Sequence, residues 1–511
     1  MQLTRRALLG TFAAAGAAWA APPPFELEEA TIPDLQKRMR EGSLTAATLT
    51  RRYLERIAAI DKRGPAINSI IELNPDAPAI AAALDAERKA KGPRGPLHGI
   101  PVLIKDNIDT ADRMMTTAGS LALEGSIAAR DSFVAARLRT AGAVLLGKTN
   151  LSEWANFRSS HSISGWSGRG GLTLNPYSLE RNACGSSSGS GAAVSANLCA
   201  VAIGTETDGS IVCPSSMNGI VGIKPTLGLI KGDGIIPIAH SQDTAGPMGR
   251  TVTDAATLLG ALAGTDYTSS LDANGLRGAR IGVARDKFFG FNEKTDQLMA
   301  AAIAEMKRRG AEVIDPADIP TAGKFDDSES DVLQYEFKND LNLYLGALGP
   351  KAPVHSLAEV IEFNERHRDK EMPWFGQDLM IKSQSRGPLT SKEYLDALEK
   401  NHRMARTEGI DAVMSRHRLD ALMAPTAGPA WCTDLANGDH VPGGSSTPAA
   451  VAGYPNINVP AGFAWGLPVG ISFFGAANSE ALLIKLAYAF EQATKHRRGP
   501  QFRPRAELNA R

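Results

Sequence analysis

The chain has 511 residues, of which 43% are hydrophobic and 22% charged, and its 55 Lys and Arg residues balance 55 Asp and Glu residues. This composition is typical of a soluble globular protein with a large core, in two or three average domains or one large α/β domain. The formal net charge is zero, and basic residues are not clustered among aromatic residues, so the sequence gives no indication of nucleic acid as a partner.

The N-terminus predicts an export signal. Arg5 and Arg6 form a twin arginine before an apolar run over residues 7–20, which is shorter than the ~20 residues that span a bilayer. Residues 18–20 match the A-x-A cleavage pattern. We therefore predict a cleaved twin-arginine-type signal over residues 1–20, a mature domain over residues 21–511, export from the cytoplasm and no stable membrane insertion. An uncleaved anchor is the alternative.

Helical patterns open the mature chain. Thr31 is a predicted N-cap with Pro33 in the first turn, and further helices are predicted from residues 42–45 to about residue 60 and over residues 77–91. An apolar run over residues 99–104 then predicts a buried strand.

The predicted strand ends in a lysine. Lys105 at this position is partly desolvated, which lowers its pKa and prepares it to act as a base. An ion pair with the adjacent Asp106 is an equally good interpretation of this segment alone.

Residues 142–149 match the nucleotide-binding P-loop pattern G-x-x-x-x-G-K-[ST]. A P-loop follows a strand and precedes a helix. Here a predicted helix over residues 132–141 comes first, and strand-forming residues 143–146 occupy the interior of the motif. We therefore interpret the match as accidental and keep nucleotide binding only as the alternative from a different class of protein.

Two loops rich in Gly and Ser stand at the centre of the chain, over residues 184–191 and 205–210. Glycines let backbone amides approach a ligand, and hydroxyls serve as nucleophiles or proton relays. Residues 192–200 predict a short helix of small residues and residues 201–203 a strand. One helix and one strand between the loops predict that they meet at one edge of a sheet.

Strand and helix patterns continue to alternate through the rest of the chain, which predicts a single large α/β domain. Residues 320–416 are rich in charge and helical pattern, and we expect them to form a helical layer over the sheet. The other predicted elements are strands at 220–225, 280–284, 419–426, 453–460 and 467–474, helices at 253–263, 295–309 and 480–495, and a loop at 242–247.

The chain has four cysteines, Cys184, Cys199, Cys213 and Cys432. Cys184 and Cys213 flank the serine loops and can be close in space, and pairing is possible in an exported chain. A protein of this size does not need disulfides, however, and the spacings match no metal-binding pattern. We expect free, buried thiols and no metal site.

The serine loops need a base, because serine is a weak nucleophile at neutral pH. Residues 185–189 fit the nucleophile-elbow pattern G-x-S-x-G around Ser187, but residues 179–184 are not the apolar strand that precedes such an elbow. None of the nine histidines lies beside the loops in sequence. A lysine base is the alternative, and burial lowers a lysine pKa by up to about 3–5 units, so Lys105 is the candidate.

Taken together, these motifs resemble those of the amidase signature family of Ser-Ser-Lys hydrolases. The resemblance covers nearly the whole mature chain and implies one α/β domain with a mixed β-sheet surrounded by α-helices, and no cofactor. The segments that carry it are residues 99–105, 147–150, 184–191, 205–214, 222–226, 453–455 and 466–470.

The resemblance implies a role for each residue at the serine loops. Ser210 is the nucleophile, Ser186 a bridging serine and Lys105 the base. A cis peptide is implied between Gly185 and Ser186. The oxyanion hole is implied to consist of the backbone amides of Thr207, Asp208, Gly209 and Ser210.

Within the family, residues 153–159, 184–190 and 205–214 are most similar to those of bacterial peptide amidases. This implies hydrolysis of the C-terminal amide of peptides through a serine acyl-enzyme, with release of ammonia; fatty-acid or aryl amides are the alternative substrates. Val212 and Cys213 stand where many relatives carry an arginine that grips a substrate carboxylate, which favours a neutral carboxamide. The candidate substrate-binding residues are Ala155, Asn156, Ser187 and Asp208.

Overall fold

Eleven strands form one mixed sheet in the computed structural model, which describes residues 24–350 and 352–507. The predicted signal at residues 1–20 lies outside the described residues. The strands of this sheet are β1 (Ile70–Leu73), β2 (Pro101–Lys105), β3 (Val144–Thr149), β6 (Val201–Glu206), β7 (Val221–Lys224), β8 (Thr244–Gly249), β9 (Arg280–Val283), β10 (Glu312–Ile314), β11 (Ala421–Pro425), β12 (Asn456–Ala464) and β13 (Leu467–Phe474). Two short strands, β4 (Trp166–Ser167) and β5 (Gly171–Leu172), pair separately.

The order across the large sheet is β1-β3-β2-β6-β8-β7-β12-β13-β11-β9-β10. The pairs β3·β2 and β2·β6 are parallel, as are β11·β9 and β9·β10, whereas the other neighbours are antiparallel. Because β2 and β6 are adjacent and parallel, their carboxyl ends lie at the same sheet edge. Lys105 ends β2 and Glu206 ends β6, so the strand ends nearest the serine loops come together.

Helices surround the sheet, which confirms the predicted single α/β domain. They are α1 (Ile32–Arg40), α2 (Ala46–Ile60), α3 (Ala77–Lys91), α4 (Phe133–Thr140), α5 (Ser188–Ser195), α6 (Val212–Met217), α7 (Val252–Ala263), α8 (Glu293–Arg308), α9 (Asp326–Gly346), α10 (Leu357–Arg366), α11 (Arg368–Glu371), α12 (Asp378–Gln384), α13 (Lys392–His402), α14 (Asp411–His417), α15 (Thr447–Ala452) and α16 (Glu480–Thr494). In the described residues, no helix combines the length and apolarity that crossing a bilayer requires.

Local signals located several helix starts correctly. Thr31 caps α1 with its side chain, which accepts the Asp34 N–H at 3.3 Å, while the Asp34 carboxylate accepts the Thr31 N–H at 3.1 Å. This reciprocal pair is a capping box, which satisfies two backbone donors at once. Helix α5 begins at Ser188, inside the first serine loop and earlier than predicted.

The predicted loop at residues 242–247 is wrong, because most of it belongs to β8. Gly246 and Pro247 suggested a break, but they pair antiparallel with Gly204 and Ile203 in the middle of the sheet. A side chain at Gly246 would collide with the Ile223 carbonyl on the other neighbouring strand. Glycine is therefore needed here for close strand packing, not for a turn.

Residues 320–416 are helical as predicted, but the longest helix does not lie over the sheet itself. The buried side of α9, with Phe337, Leu341 and Leu345, packs in one cluster with Trp154 and Ile238, which lie in loops. The helical layer therefore covers loops around the serine segments, and it forms part of the wall of this region.

We predict that Gly189→Ala destabilises the protein by about 1–3 kcal/mol through overpacking. A Cβ at Gly189 would lie 2.7 Å from the Asn150 nitrogen and closer still to the carbonyl oxygens of Ser69 and Asn150. The measurement is the urea midpoint of unfolding. Gly95→Ala is the matched control, since a Cβ there meets no heavy atom within 4 Å, and equal midpoints for the two variants would contradict the prediction.

Candidate active site

Lys105 is fully buried at the carboxyl end of β2, and its amine is surrounded by hydrogen-bond partners. Nζ lies 2.7 Å from Ser186 Oγ, 2.8 Å from Thr205 Oγ1 and 3.2 Å from the Thr205 carbonyl oxygen. Burial lowers the pKa of Lys105 to about 7, against the opposing effect of the negative charges of Asp243 and Glu206. A large fraction of this amine is therefore neutral, and able to accept a proton, near neutral pH.

Asp106 does not form the ion pair with Lys105 that was the alternative interpretation of this segment. Its Oδ2 accepts a hydrogen bond from the Thr117 hydroxyl and, at 3.2 Å, from the Gly119 N–H. The same oxygen lies 3.6 Å from Arg169 Nη1. Lys105 is thus bonded to Ser186 and Thr205, and Asp106 to a separate set of residues.

The two serine loops meet, as their spacing predicted. The Ser187 N–H donates to the Ser210 carbonyl at 3.2 Å, and the Ser152 N–H donates to the Ser186 carbonyl at 3.1 Å. The peptide between Gly185 and Ser186 is cis. Ser186 and Ser210 are both buried, and among the hydrogen bonds of the described residues none joins their two hydroxyls.

Four successive backbone N–H groups, those of residues 207–210, form a row that ends at Ser210. In the described part of the chain, the N–H groups of Thr207, Asp208, Gly209 and Ser210 have no acceptor, whereas those of Ile211 and Val212 donate to Glu206 Oε2 at 2.7 and 3.0 Å. Gly209 has φ of 77°, which lets the chain turn at this point. Buried backbone donors are nearly always paired, so a row of free ones suits a ligand oxygen.

Asp208 presents a carboxylate beside this row of amides. Its Oδ2 accepts a hydrogen bond from Thr447 Oγ1 at 2.6 Å. Its Oδ1 is inaccessible to solvent and has no partner among the described residues. Burial raises the pKa of Asp208, and hydrogen bonds from Ser446 and Thr447 oppose this effect. Asp208 Oδ1 is thus a buried acceptor that no described residue uses.

Ala155 and Asn156 lie on an irregular segment that follows Ser152. Both have positive φ, 54° and 73°. Asn156 Nδ2 donates to Ser164 Oγ at 3.1 Å, while Asn156 Oδ1 is buried and has no partner in the described residues. Since Ser152 bonds to Ser186, this segment and its free acceptor adjoin the first serine loop.

Ser187, a predicted substrate-binding residue, has its hydroxyl bonded to the protein backbone. Its hydroxyl is fully buried, donates to the Thr205 carbonyl at 3.0 Å and accepts the Thr205 N–H at 3.1 Å. Both bonds go to the backbone of β6, so this side chain attaches the first serine loop to the strand.

The expectation of free, buried thiols is confirmed for Cys199 and wrong for the other three cysteines. Cys184 and Cys213 form a disulfide with a Cα–Cα distance of 6.1 Å, while Cys199 is free and buried and Cys432 is free and exposed. The size of the chain indicated that a disulfide was unnecessary, but the meeting of the two loops brings their flanking cysteines together. The bond joins the residue before Gly185 to the helix after Ser210.

The P-loop match is accidental, as interpreted from the sequence. Residues 144–149 form β3, which leaves no loop to wrap a phosphate. Lys148 is fully buried, and its amine donates to the Ile108 carbonyl at 2.6 Å and to Thr116 Oγ1 at 2.9 Å. This lysine stabilises the protein interior.

One group of potential metal ligands occurs among the described residues, His240, Glu336 and Asp340. His240 Nδ1 lies 2.7 Å from Asp340 Oδ2, and Nε2 lies 3.5 Å from Glu336 Oε1. The hydrogen bond from Asp340 raises the pKa of His240. Each ring nitrogen faces a different carboxylate, and this arrangement favours the protonated form of the imidazole.

Sequence reasoning missed two residues near Lys105, Thr205 and Asp243. Thr205 was part of the second loop but had no predicted role, although its hydroxyl also accepts a hydrogen bond from Asn107 Nδ2 at 3.1 Å. Asp243 was placed in a loop with no predicted function. The contacts of these residues join segments distant in sequence, so no local pattern indicated them.

A buried lysine bonded to a serine, a second serine and a row of free amides at one sheet edge have the composition of an acyl-transfer site. The sequence model of the family described as Amidase matches residues 48–484. The crystal structure of native peptide amidase from Stenotrophomonas maltophilia is similar to this chain, with 50% identity, a TM-score of 0.90 and coverage of 94% of this chain and 100% of that one.

Sequence relatives agree on the family. A probable amidase from Arabidopsis thaliana is 43% identical, over 94% of this chain and 92% of its own length. The A subunit of a glutamyl-tRNA(Gln) amidotransferase from Synechococcus sp. is 34% identical, over 91% of this chain and 92% of its own length. The chain therefore belongs to the amidase family and is an amide-hydrolysing enzyme.

We predict that Cys184→Ala/Cys213→Ala lowers the free energy of unfolding by about 3–4 kcal/mol, the loop-entropy expectation for a bond of this span. The bonded residues are 29 positions apart. Denaturant unfolding under non-reducing conditions measures the change. Cys432→Ala, which removes an exposed free thiol, is the control, and a double variant as stable as this control would contradict the prediction.

Proposed function

We propose that this enzyme hydrolyses the C-terminal carboxamide of peptides and releases ammonia through an ester intermediate on Ser210. The observation that carries the chemistry is the 2.7 Å contact between the buried Lys105 amine and Ser186 Oγ, beside the free amides that lead to Ser210. The similarity to a peptide amidase, at 50% identity over nearly the whole chain, supports the peptide substrate.

The first half of the reaction forms the acyl-enzyme. Neutral Lys105 accepts the proton of the Ser186 hydroxyl, and Ser186 accepts the proton of Ser210 as Ser210 Oγ attacks the amide carbon. The carbonyl oxygen becomes an oxyanion, which the N–H groups of residues 207–210 stabilise. The relay then runs in reverse: Lys105 returns its proton through Ser186 to the amide nitrogen, the C–N bond breaks and ammonia leaves.

The second half consumes water. The ester on Ser210 is attacked by a water molecule whose proton passes through Ser186 to Lys105. When the tetrahedral intermediate collapses, Ser210 recovers a proton and the peptide leaves with a free carboxylate. The enzyme returns to its starting protonation state, with one water consumed for each ammonia and carboxylic acid formed.

The surroundings of Ser210 support a neutral substrate end. Val212 carries no charge, and Cys213 is held in a disulfide, so neither offers a cation to a substrate carboxylate. Asp208 places an acceptor beside the amides, which suits the N–H groups of a carboxamide and repels a carboxylate. Fatty-acid or aryl amides fit the same chemistry and are the second candidate substrates.

We further propose that the mature protein, residues 21–511, works outside the cytoplasm. Disulfides persist in the periplasm and outside the cell, and are reduced in the cytoplasm. The Cys184–Cys213 bond, next to both serine loops, supports the export that Arg5 and Arg6 predict.

We predict that Ser210→Ala and Lys105→Ala each lower ammonia release from a blocked dipeptide amide by about 10³-fold or more, because each removes a member of one relay. The control is Lys231→Ala, which removes an exposed lysine. A fatty-acid primary amide and an aryl amide are assayed in parallel. Turnover of these alone would refute the peptide substrate, and full activity in Ser210→Ala would refute the mechanism.

We predict that kcat/KM rises with pH through about 7 and falls about tenfold for each unit below it. Burial lowers the pKa of Lys105 to about 7, so Lys105 is a protonated ammonium below this pH and cannot accept the Ser186 proton. Initial rates at subsaturating substrate from pH 5 to pH 9 measure the profile. The part of the profile in which kcat/KM rises with pH is its acid limb. An acid limb centred near the ordinary lysine pKa would contradict the prediction.

A further inference from the structure

The segment just before β8 holds a buried carboxylate against the loop that carries the free amides. Asp243 Oδ1 accepts a hydrogen bond from Thr207 Oγ1 at 2.5 Å. Asp243 Oδ2 accepts the N–H groups of Ile238 and Ala239 at 2.7 and 2.9 Å. Both carboxylate oxygens are therefore held, and one of them holds the first residue of the amide row.

The pairing of β6 with β8 brings this carboxylate to the strand end next to Thr205. The last pair of that antiparallel ladder is Glu206 with Thr244, so the residues just beyond it, Thr207 and Asp243, are also neighbours. The Thr205 hydroxyl accepts a hydrogen bond from the Lys105 amine, and the Thr207 hydroxyl donates a hydrogen bond to Asp243. The amine and the carboxylate are thus bonded to two residues of the same short segment, and the Asp243 charge acts on Lys105.

We propose that Asp243 is a positioning residue for amide hydrolysis, which holds Thr207 in place and supplies a buried negative charge next to the Lys105 amine. This inference rests on the proposed function. Asp243 does not touch the reacting atoms; it acts through Thr207 and through its electric field at Lys105.

The charges around the pair determine the sign of its effect. Burial lowers the pKa of Lys105, and the negative charges of Asp243 and Glu206, in that order, raise it. Burial raises the pKa of Asp243 to about 6, the nearby Asp340 acts in the same direction, and the hydrogen bonds to Asp243 act against both. His240, on the same segment, also feels the Asp243 charge. Above pH 6 Asp243 is ionised and holds the proton on Lys105 more tightly.

The first test is Asp243→Asn, which removes the charge and keeps an oxygen for Thr207. Loss of the charge makes the Lys105 ammonium less stable, so we expect the acid limb of kcat/KM to move to lower pH by about one unit. In this variant the asparagine NH₂ faces the N–H groups of Ile238 and Ala239, so donors meet donors and their hydrogen bonds are lost. Thr207 is then held less firmly, and kcat on the plateau should also fall. An unmoved limb in the folded variant would overturn the role of the charge.

Thr207→Val separates the bond from the charge. It removes the hydrogen bond to Asp243 and leaves the carboxylate in place, so we expect kcat to fall about tenfold or more with the acid limb unmoved. Thr207→Ser restores the hydroxyl and should recover most of the rate. Full activity in Thr207→Val would overturn the positioning role of the bond.

Asp254→Asn is the matched control. Asp254 is a buried aspartate whose pKa burial also raises to about 6, and its carboxylate accepts the Ile32 N–H at 2.7 Å. It has no contact with Lys105, so its substitution should leave the acid limb in place. An equal shift in both variants would overturn the proposal. Where circular dichroism shows that Asp243→Asn is unfolded, Asp243→Ser replaces it.

A second readout does not depend on the substrate. The rate at which a fluorophosphonate labels Ser210, followed by mass spectrometry across the same pH range, reports the same base. If the native enzyme is labelled but hydrolyses no peptide amide, the proposed substrate is wrong, while the labelling limb still tests Asp243. If the native enzyme hydrolyses the amide and neither limb moves in Asp243→Asn, the proposal for Asp243 alone is wrong.

Discussion

The site depends on the burial of one amine. Lys105 is removed from water at the end of β2, and its hydrogen bonds to Ser186 and Thr205 replace only part of its hydration. A fully exposed lysine at neutral pH carries a proton almost all the time and cannot act as a base. The neighbouring strands exclude water from the amine, and the carboxylates of Asp243 and Glu206 limit how far its basicity falls.

The remaining parts hold two loops against that amine. Ser187 attaches the first loop to β6 with its hydroxyl and contacts Ser210 with its N–H, and the Cys184–Cys213 bond joins the same loops covalently. Glu206 binds the two amides after Ser210, while the four before them have no acceptor in the described residues. The donors proposed to bind a ligand oxygen are thus the ones that local structure does not use.

Much of this arrangement was predictable because its signals are local. The apolar run before Lys105, the Gly and Ser loops and the capping box at Thr31 each depend on neighbours in sequence, and the family motifs identified the domain. What could not be predicted depends on residues distant in sequence. In the strand at residues 244–249, Gly246 is needed because the neighbouring strand lies too close for a side chain. The disulfide depends on two loops that meet in space, and the proposed role of Asp243 depends on its contact with Thr207.

Lys105, Ser186, Ser210 and Asp243 all come from one continuous stretch of the chain, whereas α9 and the residues that contact Asp208 come from later segments. Helix α9 joins this stretch through bonds such as that of Gln242 Nε2 to Glu329 Oε1, at 2.9 Å. The residues of the proposed relay are therefore encoded in one stretch, and later segments add contacts at its border. Substitutions in those later segments can change the surroundings of the site while every residue of the proposed relay stays the same.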